Sequence, residues 1–87
     1  MPPISWDDDA WDDYTDWMDE DKKTVKRINR LIKSILRDER PIGKAERLKY
    51  ADPGVCSVRI DEKNRLVYKV LDDGEVYVLS CRGHYAD

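Results

Sequence analysis

Residues 55–82 read VCSVRIDEKNRLVYKVLDDGEVYVLSCR, three apolar runs separated by two stretches rich in turn-forming residues. This pattern predicts three strands joined by two hairpins. Cys56, Val58 and Ile60 alternate with Ser57 and Arg59; Leu66, Tyr68 and Val70 alternate with Arg65, Val67, Lys69 and Leu71; Tyr77, Leu79 and Cys81 alternate with Val76, Val78, Ser80 and Arg82. The segment LDDGEV predicts a two-residue turn at Asp73-Gly74, which opposes Tyr68 to Leu79 and Leu66 to Cys81. For the earlier hairpin, a four-residue loop would set Ile60 against Arg65, apolar against charged. A three-residue loop, Glu62-Lys63-Asn64 with Asn64 left-handed, is expected instead, and it opposes Ile60 to Leu66. Carried along the strands, this parity assigns Tyr68, Val70 and Leu79 to a side covered by helices. Arg59, Arg65 and Arg82 fall on the other side, joined by His84 if the last strand continues that far.

Upstream of this block the period changes from two to that of a helix. Ile4–Trp6 is a short apolar start expected to form an edge strand. In DDDAWDDYTDWMDED, Ala10, Trp11, Tyr14, Trp17 and Met18 recur as one helical stripe, with Asp7 or Asp8 as the cap. Asp21 then caps a second helix, KKTVKRINRLIKSILRD, whose apolar side holds Val25, Ile28, Leu31, Ile32, Ile35 and Leu36. Its other side carries Lys22, Lys23, Lys26, Arg27, Arg30, Lys33 and Arg37, read as a solvated face in preference to an anion-binding ridge. Pro41 and Gly43 end this helix. The expected fold class is α+β, with two N-terminal helices packed on one face of a small, mainly antiparallel twisted sheet, as a single domain over residues 1–87.

The totals narrow the function. Three Trp and five Tyr among 87 residues, with hydrophobic residues at 40%, suit a folded chain and not a disordered one. The stretch MPPISW lacks the basic start and apolar run of a secretory signal, and no apolar segment is long enough to cross a bilayer. A cytoplasmic location without membrane contact is expected. Cys56 and Cys81 lack CxxC spacing and are read as reduced core thiols. The aspartates before Trp11 lack calcium-loop spacing, and neither a metal nor a cofactor is expected. A net charge of −3 conceals an asymmetry: residues 1–21 carry nine acidic and no basic side chains, whereas the remainder carries 16 basic and 10 acidic, a balance of +6. Local potential, not the total, steers an encounter with a polyanion.

Arginines gathered on one face suit phosphate, and a bound phosphate favours the imidazolium form of a nearby histidine. Cleavage of RNA by its own 2′-hydroxyl needs a base, an acid for the departing 5′-oxygen, and cations over the developing charge. Arg65 can supply the charge and His84, the only histidine, the acid; Tyr85 can stack on a base. GKAERLKY offers Glu46 as the base, with Lys49 nearby.

In order and spacing together, WDDDAWDDYTDW, KKTVKRINRLIKSI, GKAERLK, RIDEKNRLVYKV and the terminal His84-Tyr85 resemble the bacterial toxins of the YoeB/Txe group in the RelE superfamily. The resemblance runs from Ile4 to Tyr85. It implies a RelE-like, microbial-RNase-like fold and ribosome-dependent, metal-independent endonuclease activity on messenger RNA in the ribosomal A site, leaving a 2′,3′-cyclic phosphate and a 5′-hydroxyl. By position it implies Glu46 as general base, Arg65 as transition-state cation, His84 as general acid and Tyr85 as the residue orienting substrate. Lys49 and Arg59 match residues that contact phosphates. The implied partners are a YefM/Axe-like antitoxin of the Phd type, the 70S ribosome with its messenger RNA, and a second copy of the toxin. Several positions depart from the pattern. Val58 stands in place of an arginine, implying one cation fewer; Gly83 replaces a bulky residue, implying a looser tail; and Ala86-Asp87 extend it. A non-catalytic module that binds ribosome or antitoxin through the same face is the alternative these departures motivate.

Overall fold

The computed structural model describes residues 4–37, 46–47 and 54–83. Strand β1 (Ile4–Trp6) leads into α1 (Asp8–Glu20) and α2 (Lys22–Leu36), followed by β2 (Glu46–Arg47), β3 (Val55–Arg59), β4 (Arg65–Val70) and β5 (Val76–Ser80). Both expected helix starts are capped by aspartate. The Asp7 carboxylate accepts the Asp9 N–H, and Asp21 accepts from Lys23 and Thr24, satisfying amides that have no partner within the helix. The five strands form one sheet in the order β1-β5-β4-β3-β2, antiparallel except where β1 runs parallel to β5, with Ile4 opposite Val76 and Trp6 opposite Val78. The α+β architecture is as expected. No helix among the described residues is long and apolar enough to cross a membrane.

The helices cover one face of the sheet. Ala10 and Trp17 from α1 and Ile28, Leu31 and Ile32 from α2 bury against Val58, Ile60, Leu66, Tyr68, Val76, Val78 and Cys81. Each large apolar side chain removed from water contributes roughly 1.5–3 kcal/mol, so this cluster fixes which face the helices take. Trp11 and Met18, expected on the buried stripe, remain 48% and 41% exposed. Trp11 instead packs edge-on to Trp6, with ring centroids 5.7 Å apart.

Both hairpins differ from expectation in register. Between β3 and β4 the turn has the expected three residues but sits one position earlier, Asp61-Glu62-Lys63, closed by the Ile60 N–H on the Asn64 carbonyl, so Arg59 stands opposite Arg65 and Val58 opposite Leu66. The Asp61 carboxylate holds the turn in this place: it accepts the N–H of Lys63 at 2.8 Å, the N–H of Asn64 at 2.7 Å and the Asn64 side-chain amide at 3.1 Å. The slip is two residues, so every side chain keeps its face. The second hairpin turns on three residues, Asp72-Asp73-Gly74, with Gly74 at φ +89° and its N–H donating to the Leu71 carbonyl. Val76 and Val78 therefore take the core side, where Tyr77 and Leu79 were expected. A bulge then restores the parity of the strand end: Val67 opposes Ser80 while Tyr68 opposes Val78, leaving Leu79 as the extra residue. The bulge lets Val76, Val78 and Cys81, whose positions have opposite parity, all reach the core. Leu79 packs with Val55 and Val67 in a small apolar cluster of its own, and Val70 is 48% exposed.

Candidate active site

On the face away from the helices, β3 and β4 present Ser57, Arg59 and Arg65. Arg59 and Arg65 stand directly opposite each other, one exposed and the other buried. Like charges facing across a strand pair are unfavourable, a cost that a bound anion would relieve. Arg65 is held in place: its Nε donates to the Ser57 hydroxyl at 2.7 Å, and Ser57 is fully buried. Its guanidinium is therefore an oriented cation with a planar set of donors. The Arg59 carbonyl accepts from Arg27 at 3.4 Å, which ties the end of β3 to α2.

Glu46, the expected base, is the register partner of Ser57 across β2 and β3. One serine thus stands beside Glu46 in the sheet and bonds the head of Arg65. Sequence reasoning did not single out Ser57. The signal was its alternation with Arg59, which placed it on the arginine face.

The chain leading to the tail is fastened residue by residue. Trp17 donates its indole N–H to the Cys81 carbonyl at 2.9 Å, and the Cys81 Sγ reaches the Ala10 carbonyl at 3.6 Å. Burial, followed by the charge of Asp13, pushes the Cys81 thiol up to about 12, in keeping with a reduced core thiol. The Asp13 carboxyl is raised by burial, opposed by a hydrogen bond from the Cys81 backbone and by the charge of Arg82. Arg82 itself departs from expectation. Its guanidinium lies 4.0 Å over the Trp17 ring and pairs with Glu20, so it belongs to α1 and not to the Arg59–Arg65 face. The strand ends at Ser80, and the aromatic face and carboxylate on α1 outcompete the open sheet.

Gly83 follows at φ +87°, in open space but in a backbone region costly for any residue with a Cβ. Its N–H donates to the Asn64 side-chain oxygen at 2.8 Å and its carbonyl accepts the Arg65 N–H at 3.0 Å. The glycine expected to loosen the tail is bonded on both sides. His84 is the next residue; His84, Tyr85 and Lys49 lie outside the described residues, as do Pro41, Gly43 and Ala86-Asp87. Val58, where the resemblance implies one cation fewer, is fully buried in the core on the helix side.

A family model described as the YoeB-like toxin of bacterial type II toxin-antitoxin system matches residues 6–85. The chain belongs to this YoeB-like toxin family. Toxin RelK of Mycobacterium tuberculosis (strain ATCC 25618 / H37Rv) is 46% identical to it over 86 residues, spanning 98% of this chain and 100% of that protein. The YoeB dimer from Staphylococcus aureus has a TM-score of 0.88 at 42% identity, covering 97% of this chain and 98% of that one. The YoeB of the heterotetrameric YoeB-YefM toxin-antitoxin complex from the same organism has a TM-score of 0.86 at 42% identity, covering 98% and 99%. This YoeB-like chain carries Arg59 and Arg65 opposite each other on the face away from the helices.

Proposed function

We propose that this chain is a ribosome-dependent messenger RNA endoribonuclease, the toxin half of a toxin–antitoxin pair, working in the cytoplasm as a single domain over residues 1–87. The observation that carries the reading is Arg65, oriented by Ser57, opposite Arg59, and bonded through its backbone to the residue that precedes His84. Glu46 takes the proton of the RNA 2′-hydroxyl, whose oxygen attacks the adjacent phosphorus. Arg65 stabilises the charge that accumulates on the phosphoryl oxygens. His84 gives its proton to the departing 5′-oxygen, and the products are a 2′,3′-cyclic phosphate and a 5′-hydroxyl. Tyr85 orients the substrate, and Lys49 and Arg59 hold phosphates. Side chains supply acid, base and cation, so the scheme uses no metal ion and no cofactor. The partners are the 70S ribosome carrying messenger RNA, a YefM/Axe-like antitoxin of the Phd type, and a second copy of the chain; the Staphylococcus aureus YoeB dimer and YoeB-YefM complex support the last two.

Purified protein, freed of antitoxin and mixed with programmed ribosomes, is expected to cut messenger RNA in the A site. Glu46→Gln and His84→Gln are each expected to lower single-turnover cleavage by about 100-fold or more, with unchanged thermal unfolding. A folded wild-type protein that binds ribosomes yet leaves the RNA intact would remove the enzymatic reading and leave a binding module.

A further inference from the structure

Asn64 lies outside the set of residues assigned to catalysis, yet its side chain joins two parts of the site. Its amide nitrogen donates to both carboxylate oxygens of Asp61 at 3.1 Å, which sets the amide so that its oxygen faces away from that acid. That oxygen accepts the Gly83 N–H at 2.8 Å. Asn64 immediately precedes Arg65, and Gly83 immediately precedes His84. The Arg65 N–H closes the ring on the Gly83 carbonyl at 3.0 Å. Both peptide groups flanking Gly83 are therefore tied to the start of β4. A glycine with open space around it would otherwise leave the following residue free to turn about its φ and ψ.

We propose that Asn64 is a positioning residue for the general acid: by bridging Asp61 to Gly83 it fixes the backbone from which His84 departs relative to Arg65. The proposal rests on the endoribonuclease reading above. An amide suits the role. It must donate to an ionised carboxylate and accept from a backbone N–H at once, and a carboxylate in its place loses the donor. A displacement of about 1 Å at a reacting group can cost on the order of 100-fold in rate, so a bond one residue from the acid acts on turnover more than on substrate binding.

The test compares wild type, Asn64→Ala, His84→Gln and the double variant on programmed ribosomes, with single-turnover rate and half-saturating ribosome concentration measured separately. Asn64→Ala is expected to reduce the rate by about 10-fold or more, with half-saturation little changed and the protein still folded at the assay temperature. The double variant should be no slower than His84→Gln alone, because positioning an absent acid has no effect; multiplicative losses would indicate a merely structural role and overturn the proposal. Wild-type rates in Asn64→Ala beside a slow His84→Gln would also overturn it. An inert wild type, or a His84→Gln as fast as wild type, would instead strike the underlying enzymatic reading. One measurement needs no variant: the Gly83 amide of the wild-type protein should be protected from hydrogen exchange, and an unprotected amide would overturn the proposal.

Discussion

At the scale of single residues, Ser57 is the position where structure and chemistry meet most directly. It is fully buried, it bonds the Arg65 Nε, and it is the register partner of Glu46. Ser57→Ala removes one partner of a buried cation, a change worth about 1–3 kcal/mol when a charged group is involved. Chemical denaturation should show a loss in that range. The same variant should cut messenger RNA about 10-fold more slowly at saturating ribosomes, because a guanidinium with one bond fewer is less well aimed. An unaltered rate with the stability loss intact would confine Ser57 to packing.

Among the elements, the β3–β4 loop carries the clearest pH dependence. Burial alone would raise the Asp61 carboxyl, but hydrogen bonds from the Asn64 side chain and from the N–H groups of Lys63 and Asn64 outweigh it and hold the carboxyl below its ordinary value. A carboxylate depressed in the folded state contributes stability that is present above the unfolded value, near 3.9, and is lost as pH falls through the folded value. Asp61→Asn should therefore be less stable than wild type at neutral pH, by about 1 kcal/mol for so exposed a group. The gap should close as the pH drops below the folded value. Denaturant midpoints across an acid series check this; a gap that stays constant would show that the charge contributes nothing. The same loop explains a register error made from sequence. Reading Asp61 as a strand residue hid its use as the acceptor within the turn.

Across the whole molecule the acidic α1 and the basic remainder set up opposed charges. Asp8, Asp9, Asp12, Asp16 and Asp19 lie on α1, on the helix-covered side of the sheet, and Arg59 and Arg65 on the other; the molecule is 33 Å along its longest axis. The screening length is about 8 Å at physiological salt and about 30 Å at 0.01 M. Replacing Asp8, Asp9 and Asp12 by Asn should thus change half-saturation with ribosomes by less than about twofold at physiological salt and appreciably more at 0.01 M. A large effect that persists at physiological salt would mean that α1 itself contacts the ribosome.

Residues 55–82 alone determined that the chain forms three strands with one arginine-bearing face, because side-chain alternation has period two and survives a slip of two residues. The helices, the Asp21 cap and an aspartate cap at Asp7 or Asp8 were equally legible, being local hydrogen-bonding chemistry and helical spacing; the structure chose Asp7. The tertiary structure decided what depends on partners distant in sequence. It chose Val76 and Val78 over Tyr77 and Leu79 for the core, since the turn closed by Leu71 and Glu75 around the left-handed Gly74 sets that register and the bulge at Leu79 then returns Cys81 to the same side. It drew Arg82 to Trp17 and Glu20, since an aromatic face and a carboxylate were within its reach. And it brought Asn64 to Gly83, a contact across 19 positions of chain that no local pattern announces, because the residues meet only once β4 and the end of β5 lie side by side.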